Sequence, residues 1–288
     1  MIEQAVYDHL KAQSELTDFL TSHGGEPAVF HRKAPDDTDP GWDGYSQYGR
    51  VVFEVDLQGD PERIMGGTLM VDIMCDNTGC HSEELEPVVR RLIHGYFFSN
   101  GTFVVSAQWK NSSYFTEKDG EVNGYTISFE LLGFPSITTS TPDVIERLNE
   151  WTSDNFHDLH VINYDELPYP AWRPSEDESA VYWRLVQDTP AGWIPDTAQT
   201  IWRTATIRGH IFSESISVAS TAARDLIVSL YASKRLLRAG ETPIMVDRRN
   251  TQDNGADPLR TGQVTVEGTY GVIVRFGNDE TYNHINYN

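Results

Sequence analysis

Leu85, Val88, Val89, Leu92, Ile93, Tyr96 and Phe97 are apolar at the spacing i, i+3, i+4, i+7, i+8, i+11 and i+12, and Ala219, Ala222, Ala223, Leu226, Ile227, Leu230 and Tyr231 repeat that spacing in the second half of the chain. Such a spacing gathers the apolar side chains on one face of an α-helix, which then needs a core to face. The surroundings of the two helices also match. An apolar strand, Thr68 to Cys75, precedes the first helix and another, Ala205 to Phe212, precedes the second, each followed by a short polar turn. Further upstream lie the strands Val51 to Leu57 and Ala180 to Val186. Downstream, Thr102 to Gln108 and Tyr125 to Leu132 correspond to Ile244 to Asp247 and Gln263 to Val274. Each half opens with a helix and a short strand: Ile2 to Leu20 with Ala28 to His31, and about Asp143 to Trp151 with Leu159 to Asn163. The pattern predicts two copies of one unit, ordered α, β, β, β, α, β, β, with little residue identity left between them.

The predicted class is therefore α+β, with two similar domains, 1–138 and 139–288, each a mostly antiparallel sheet packed against helices. A length of 288 residues agrees with about two domains, each large enough for its own core. The stretch from Ser136 to Pro142 reads as a linker ending in a helix start, with Thr141 as N-cap and Pro142 at the first helical position. No run of about 18 apolar residues exists to span a membrane, and the chain begins with an amphipathic helix rather than the basic and apolar blocks of a signal peptide. Cys75 and Cys80 are too few for a disulfide scaffold, as expected of a protein kept in a reducing cytoplasm. The charge narrows the function. There are 22 acids against 9 bases up to Thr139 and 21 against 13 beyond it, for a net charge of −21. Such a surface repels phosphate backbones, so specific nucleic-acid binding is not expected, although DNA could pass nearby without sticking.

Catalytic and metal motifs are weak or absent. Cys75-x4-Cys80-His81 offers three zinc ligands without a fourth nearby, and His157 and His160 lack a third partner. The stretch Asp36 to Gly44 resembles a calcium loop only superficially, with Gly41 at its fifth position and Tyr48 at its twelfth. There is no G-x-S-x-G, H-E-x-x-H or phosphate-binding G-x-x-x-x-G-K-[ST], so neither an enzyme nor a cofactor is expected. Aromatic residues in expected loops, Trp42, Tyr45, Tyr48, Tyr169, Trp172 and Trp193, read as packing, as interface anchors or as ligand-stacking platforms.

Three segments of the first copy carry a family resemblance: IEQAVYDHLKAQSELTDFL followed by PAVFHRKAPDD, the hairpin YGRVVFEVDLQGDPERIMGGTLMVDIMCDN, and HSEELEPVVRRLIHGYFF leading to two closing strands. Over Met1 to roughly Phe134 the chain resembles the tail-terminator (tail-completion) proteins of long-tailed bacteriophages; the second copy departs further, with long loops at Glu166 to Ser179 and Asp188 to Thr200. The resemblance implies a virion protein at the head–tail junction, assembled in the host cytoplasm. Such a protein forms a ring that caps the tail tube, ends its polymerisation and docks to the head connector or stopper. Its implied partners are further copies of itself (three or six chains), the tube protein and the connector, with DNA passing through the lumen. Subunit and tube contacts are expected on the hairpin of the first copy, at Asp56 near the end of its first strand and at Gln58, Asp60, Glu62 and Arg63 in its loop, Gln58 to Arg63. In the second copy they are expected at Trp193 and in the long polar loop at Arg248, Arg249 and Asp253. Another neck or tail adaptor, or a receptor- or carbohydrate-binding tail module, are the alternatives.

Overall fold

The computed structural model describes residues 1–43, 47–60, 63–76, 78, 80–135, 138–166, 171–175, 179–197, 199–237, 242–248, 251–253 and 262–274; at residues 60, 64, 119, 165, 216, 252 and 253 only the backbone is described. The fold is α+β and mostly sheet. The chain divides into two compact units, Met1–Phe134 with Pro168–Arg173, and Pro135–Leu167 with Pro174–Asn288. The division thus falls at Phe134 rather than residue 138, and a short piece of the expected second domain belongs to the first unit.

In the first unit, helix α1 (Ile2–Lys11) buries Ile2, Val6 and Leu10, and a separate turn, α2 (Ser14–Thr17), buries Leu16. A single helix to Leu20 was expected. Continued past Lys11, however, the Ile2–Val6–Leu10 stripe would reach Gln13, Ser14 and Thr17 and leave Leu16 off the core face. Extended backbone at Gln13 (φ −96°, ψ 101°) breaks the helix, and Leu16 becomes buried.

The strands β1 (Val29–His31), β2 (Arg50–Asp60), β3 (Arg63–Cys75), β4 (Phe97–Ser99), β5 (Val104–Glu117) and β6 (Val122–Gly133) form one sheet in the order β1-β2-β3-β6-β5-β4. Only β1 and β2 run parallel; the other neighbours are antiparallel. Alternation sets the faces. Phe53 and Val55, Leu69 and Val71, and Ile127 and Phe129 share one buried cluster with α1 and with Leu85, Val89, Leu92 and Ile93 of α3 (Ser82–Ile93). Each fully buried side chain of this size contributes about 1.5–3 kcal/mol of transfer free energy.

Helix α3 stops at Ile93, because His94 leaves helical geometry and Gly95 adopts φ 75°, a region that glycine enters without steric penalty. Tyr96 and Phe97, expected on the helix face, therefore lie beyond it, and Phe97 opens the additional edge strand β4. The β2–β3 hairpin pairs from Arg50↔Met74 out to Asp60↔Arg63, with a bulge between Gln58 and Asp60. Of the expected loop at 58–63, residues 58–60 and 63 are thus strand. The two cysteines, too few for a disulfide scaffold, are nonetheless joined to each other: Cys75, at the end of β3, forms a disulfide with Cys80 at a Cα–Cα distance of 5.4 Å.

The second unit repeats this order. Helix α4 (Val144–Asn155) is capped by Asp143, whose carboxylate accepts from Ile145 N and Glu146 N, so the N-cap lies two residues beyond the expected Thr141. Then come β7 (Leu159–Val161), β8 (Ser179–Pro190), β9 (Thr200–Phe212), α5 (Ile216–Ser233), β10 (Arg235–Leu236), β11 (Ile244–Val246) and β12 (Val264–Ile273). The sheet order is β7-β8-β9-β12-β11-β10, again with only the first pair parallel; the two-residue strand Gln252–Asp253 adds to β12. Along the main path of each sheet, leaving aside α2, the strand Gln252–Asp253 and a small sheet of three two-residue strands (Ser22–His23, Glu26–Pro27 and Trp42–Asp43), both units read α, β, β, β, α, β, β, β, one strand more than expected.

Two core pairs of the hairpins correspond, although the bulge falls between Gln58 and Asp60 in the first unit and between Leu185 and Gln187 in the second. Val51↔Ile73 and Phe53↔Val71 in the first sheet correspond to Val181↔Ile211 and Trp183↔Gly209 in the second. Where one unit pairs two medium side chains, the other pairs the largest residue with the smallest. The Trp183 ring covers Gly209, and its Nε1 donates to Thr152 Oγ1 at 3.1 Å.

Candidate functional site

The sheet face opposite the first core carries a different set of residues. By register, Glu54, Met70 and Ser128 form one row, Asp56, Thr68 and Glu130 the next, and Val52, Asp72 and Thr126 a third. Glu54, Asp56, Gln58 and Thr68 are exposed, as is Met70 at 45 %. Residues 52–58 and 66–72 contain no lysine or arginine, so the face is acidic around one exposed apolar side chain. In the second sheet the equivalent positions of Glu54, Met70 and Asp72 hold Arg184, Arg208 and His210. Arg184 and Arg208 are half-buried and His210 is buried, so the acidic face of the first sheet is not repeated on the second.

The expected contact residues fall on separate elements. Asp56 and Gln58 lie on the acidic face, with Gln58 Nε2 donating to Asp56 Oδ2 at 3.3 Å. Asp60 and Arg63 close the hairpin, and Arg63 Nη1 donates to Gly133 O at 3.3 Å. Trp193 is 69 % exposed in the loop between β8 and β9, where Asp196 Oδ1 accepts from Trp202 N at 2.8 Å and Thr197 Oγ1 accepts from Thr200 N at 3.0 Å. Arg248 caps α5 by donating to Tyr231 O at 2.7 Å. The backbone of Asp253 pairs with Val264. Glu62 and Arg249 lie outside the described residues, as do Tyr45 and Tyr169. Of the other loop aromatics, Trp42 packs on Phe30 and His23, Tyr48 donates to Asp37 Oδ2 at 2.9 Å, and Trp172 packs on Phe97.

Two clusters joined across long sequence separations have no signal in local pattern. Asp37 accepts from Arg50 Nη1 at 2.9 Å, from Tyr48 and from Lys118 Nζ at 2.5 Å. Partial burial pushes its carboxyl up, but the three donors together hold it well below the usual carboxylate range. This network pins the loop 32–37 beside a groove of about 450 Å³ floored by Val52, Asp72 and Met74. The remaining acids of the calcium-like stretch are engaged as well: Asp36 with Lys33, Asp39 with His23 and Gly41 N, and Asp43 with Gly25 N. Across the chain, His160 faces Glu166 at 3.6 Å. Among the described residues, no group of three His, Cys, Asp or Glu side chains is arranged to hold a metal ion, and no helix is long and apolar enough to cross a membrane.

The second cluster closes α3. Arg173 donates to the carbonyls of Arg91, Leu92 and His94 at 2.6, 2.9 and 2.7 Å, filling acceptors that a helix end leaves open. Beside it, Trp172 exchanges backbone hydrogen bonds with Phe97 at 2.8 and 3.2 Å and so extends the edge at β4. His9 and His94 border this cap. Burial lowers both imidazoles from 6.5, and the Arg173 charge lowers them further. A folded state that binds fewer protons than the unfolded chain is fully stabilised above about pH 6.5 and loses that contribution as pH falls below it. Protection factors of β2, β3 and β6 amides, which correct exchange for its intrinsic pH dependence, should therefore fall on acidification from pH 7.5 to 5.5 by a larger factor in the parent than in a His9→Gln/His94→Gln variant. An equal fall in both would remove the histidines from the acid response.

Compared with protein-family models, the chain matches none, and no curated protein matches it.

Proposed function

We propose that this protein is a ring-forming structural subunit of a bacteriophage tail, acting at the head–tail junction to cap the tail tube and receive the head connector. The supporting observation is the repetition of one framework. Two α+β units share strand order, polarity and core register, and both carry long hairpins away from their cores. A chain with two equivalent units suits a closed ring, since three chains supply six units and six chains supply a ring with a second layer. The net charge of −21 favours a lumen through which DNA slides without adhering. The resemblance of the first unit to tail-terminator proteins supplies the location, and the family's fold is part of the same proposal.

The test is the native mass of the purified chain by light scattering, with negative-stain imaging of the same peak. A particle of three or six chains around a central hole is the expected result. A monomer at every protein concentration and at low salt overturns the reading.

A further inference from the structure

The acidic face of the first sheet has a counterpart of opposite sign elsewhere on the chain. Although acids outnumber bases nearly two to one, Lys234, Arg235, Arg238, Arg248 and Arg249 fall within one short stretch that contains only Glu241 and Asp247 as acids. The fold draws the described members together at the C-terminal end of α5. Lys234 ends the helix and its carbonyl accepts from Val246 N, Arg235 pairs with Met245 across β10 and β11, and Arg248 reaches back to Tyr231 O. The side chains of Lys234, Arg235 and Arg248 are exposed, and next to them Leu237 is 76 % exposed. The first unit shows the inverse arrangement, with Glu54 and Asp56 around the exposed Met70. An apolar centre with a charged rim is the usual anatomy of a protein interface. Two copies each carrying −21 repel one another unless local complementarity brings them together.

We infer that the Glu54/Asp56 face of one chain docks onto the Lys234/Arg235 patch of a second copy, so that copies join head to tail. This contact rests on the ring reading and names the surfaces that would close it. Head-to-tail contacts close into rings when the rotation between neighbours allows it.

The experiment compares native masses at low salt. Glu54→Lys/Asp56→Lys and Lys234→Glu/Arg235→Glu each set like charge against like and should reduce the wild-type oligomer to monomer. The fourfold variant carrying both pairs restores opposite charges, keeps the net charge at −21, and should recover the oligomer. Unchanged far-ultraviolet circular dichroism and melting confirm that each variant is folded. A wild-type ring that survives either reversal, or a fourfold variant that stays monomeric, overturns this contact and leaves the ring reading standing. A monomeric wild type overturns both.

Discussion

Leu226→Asp is expected to unfold the second unit while the first stays folded, at a cost of about 4 kcal/mol. Leu226 is fully buried on α5, between Ala223 and Leu230 and in one apolar cluster with Val264 and Val266 of the sheet. An ionised carboxylate there has no cation to pair with in the surrounding apolar cluster. Protonating it replaces the charge penalty with that of a buried, poorly bonded acid. The two units have separate buried clusters, so damage to one core should be read locally. Hydrogen exchange resolved by segment is the measurement. Amides of β9 and β12 should lose protection while those of β3 and β6 keep it, and Leu92→Asp should reverse the pattern. Parent-like protection in β9 would mean that α5 does not face its sheet through Leu226.

The second large effect concerns the repeat itself. Gly209→Val places branched carbons where even a Cβ would lie 2.5 Å from the Trp183 ring, and about 3 kcal/mol of destabilisation follows from overpacking. Trp183→Phe alone should cost about 2 kcal/mol, through the space vacated and the hydrogen bond lost from Thr152 Oγ1. Combined, the two recreate the Phe53↔Val71 pair of the first unit. The double variant should therefore be more stable than Gly209→Val alone, with a coupling of about 2–3 kcal/mol between the sites. Denaturation midpoints measure it, and additive costs would show that the registers of the two sheets are not interchangeable.

The core elements were legible in sequence because both helices hold strict apolar periodicity: Leu85, Val89 and Leu92 in one, Ala223, Leu226 and Leu230 in the other, all buried. Their ends were harder to read. Tyr96 and Phe97 continue the helical spacing, and the non-helical His94 followed by the positive φ of Gly95 turns them away. Strand length was underestimated where apolar alternation fails: Asn111 to Glu117 pair with Val122 to Ser128 through the backbone, and the adjacent Tyr114 and Phe115, the apolar residues of that segment, fall on opposite faces. The acidic face was visible in part through Asp56 and Gln58, but Glu54 and Met70 joined it only once the register was known. Asp37 with Lys118, 81 residues apart, and Arg173 with Leu92, also 81 apart, have no local signature at all.

The cap that Arg173 places on α3 has a consequence for synthesis. Translation delivers Met1–Phe134 first, yet that unit also needs Pro168–Arg173. As the chain leaves the ribosome, its first unit must wait with the last carbonyls of α3 in water and the edge at Phe97 unoccupied, until the segment that finishes it has emerged. During that interval the nascent chain carries an exposed strand edge, the kind of surface on which neighbouring chains pair or chaperones bind.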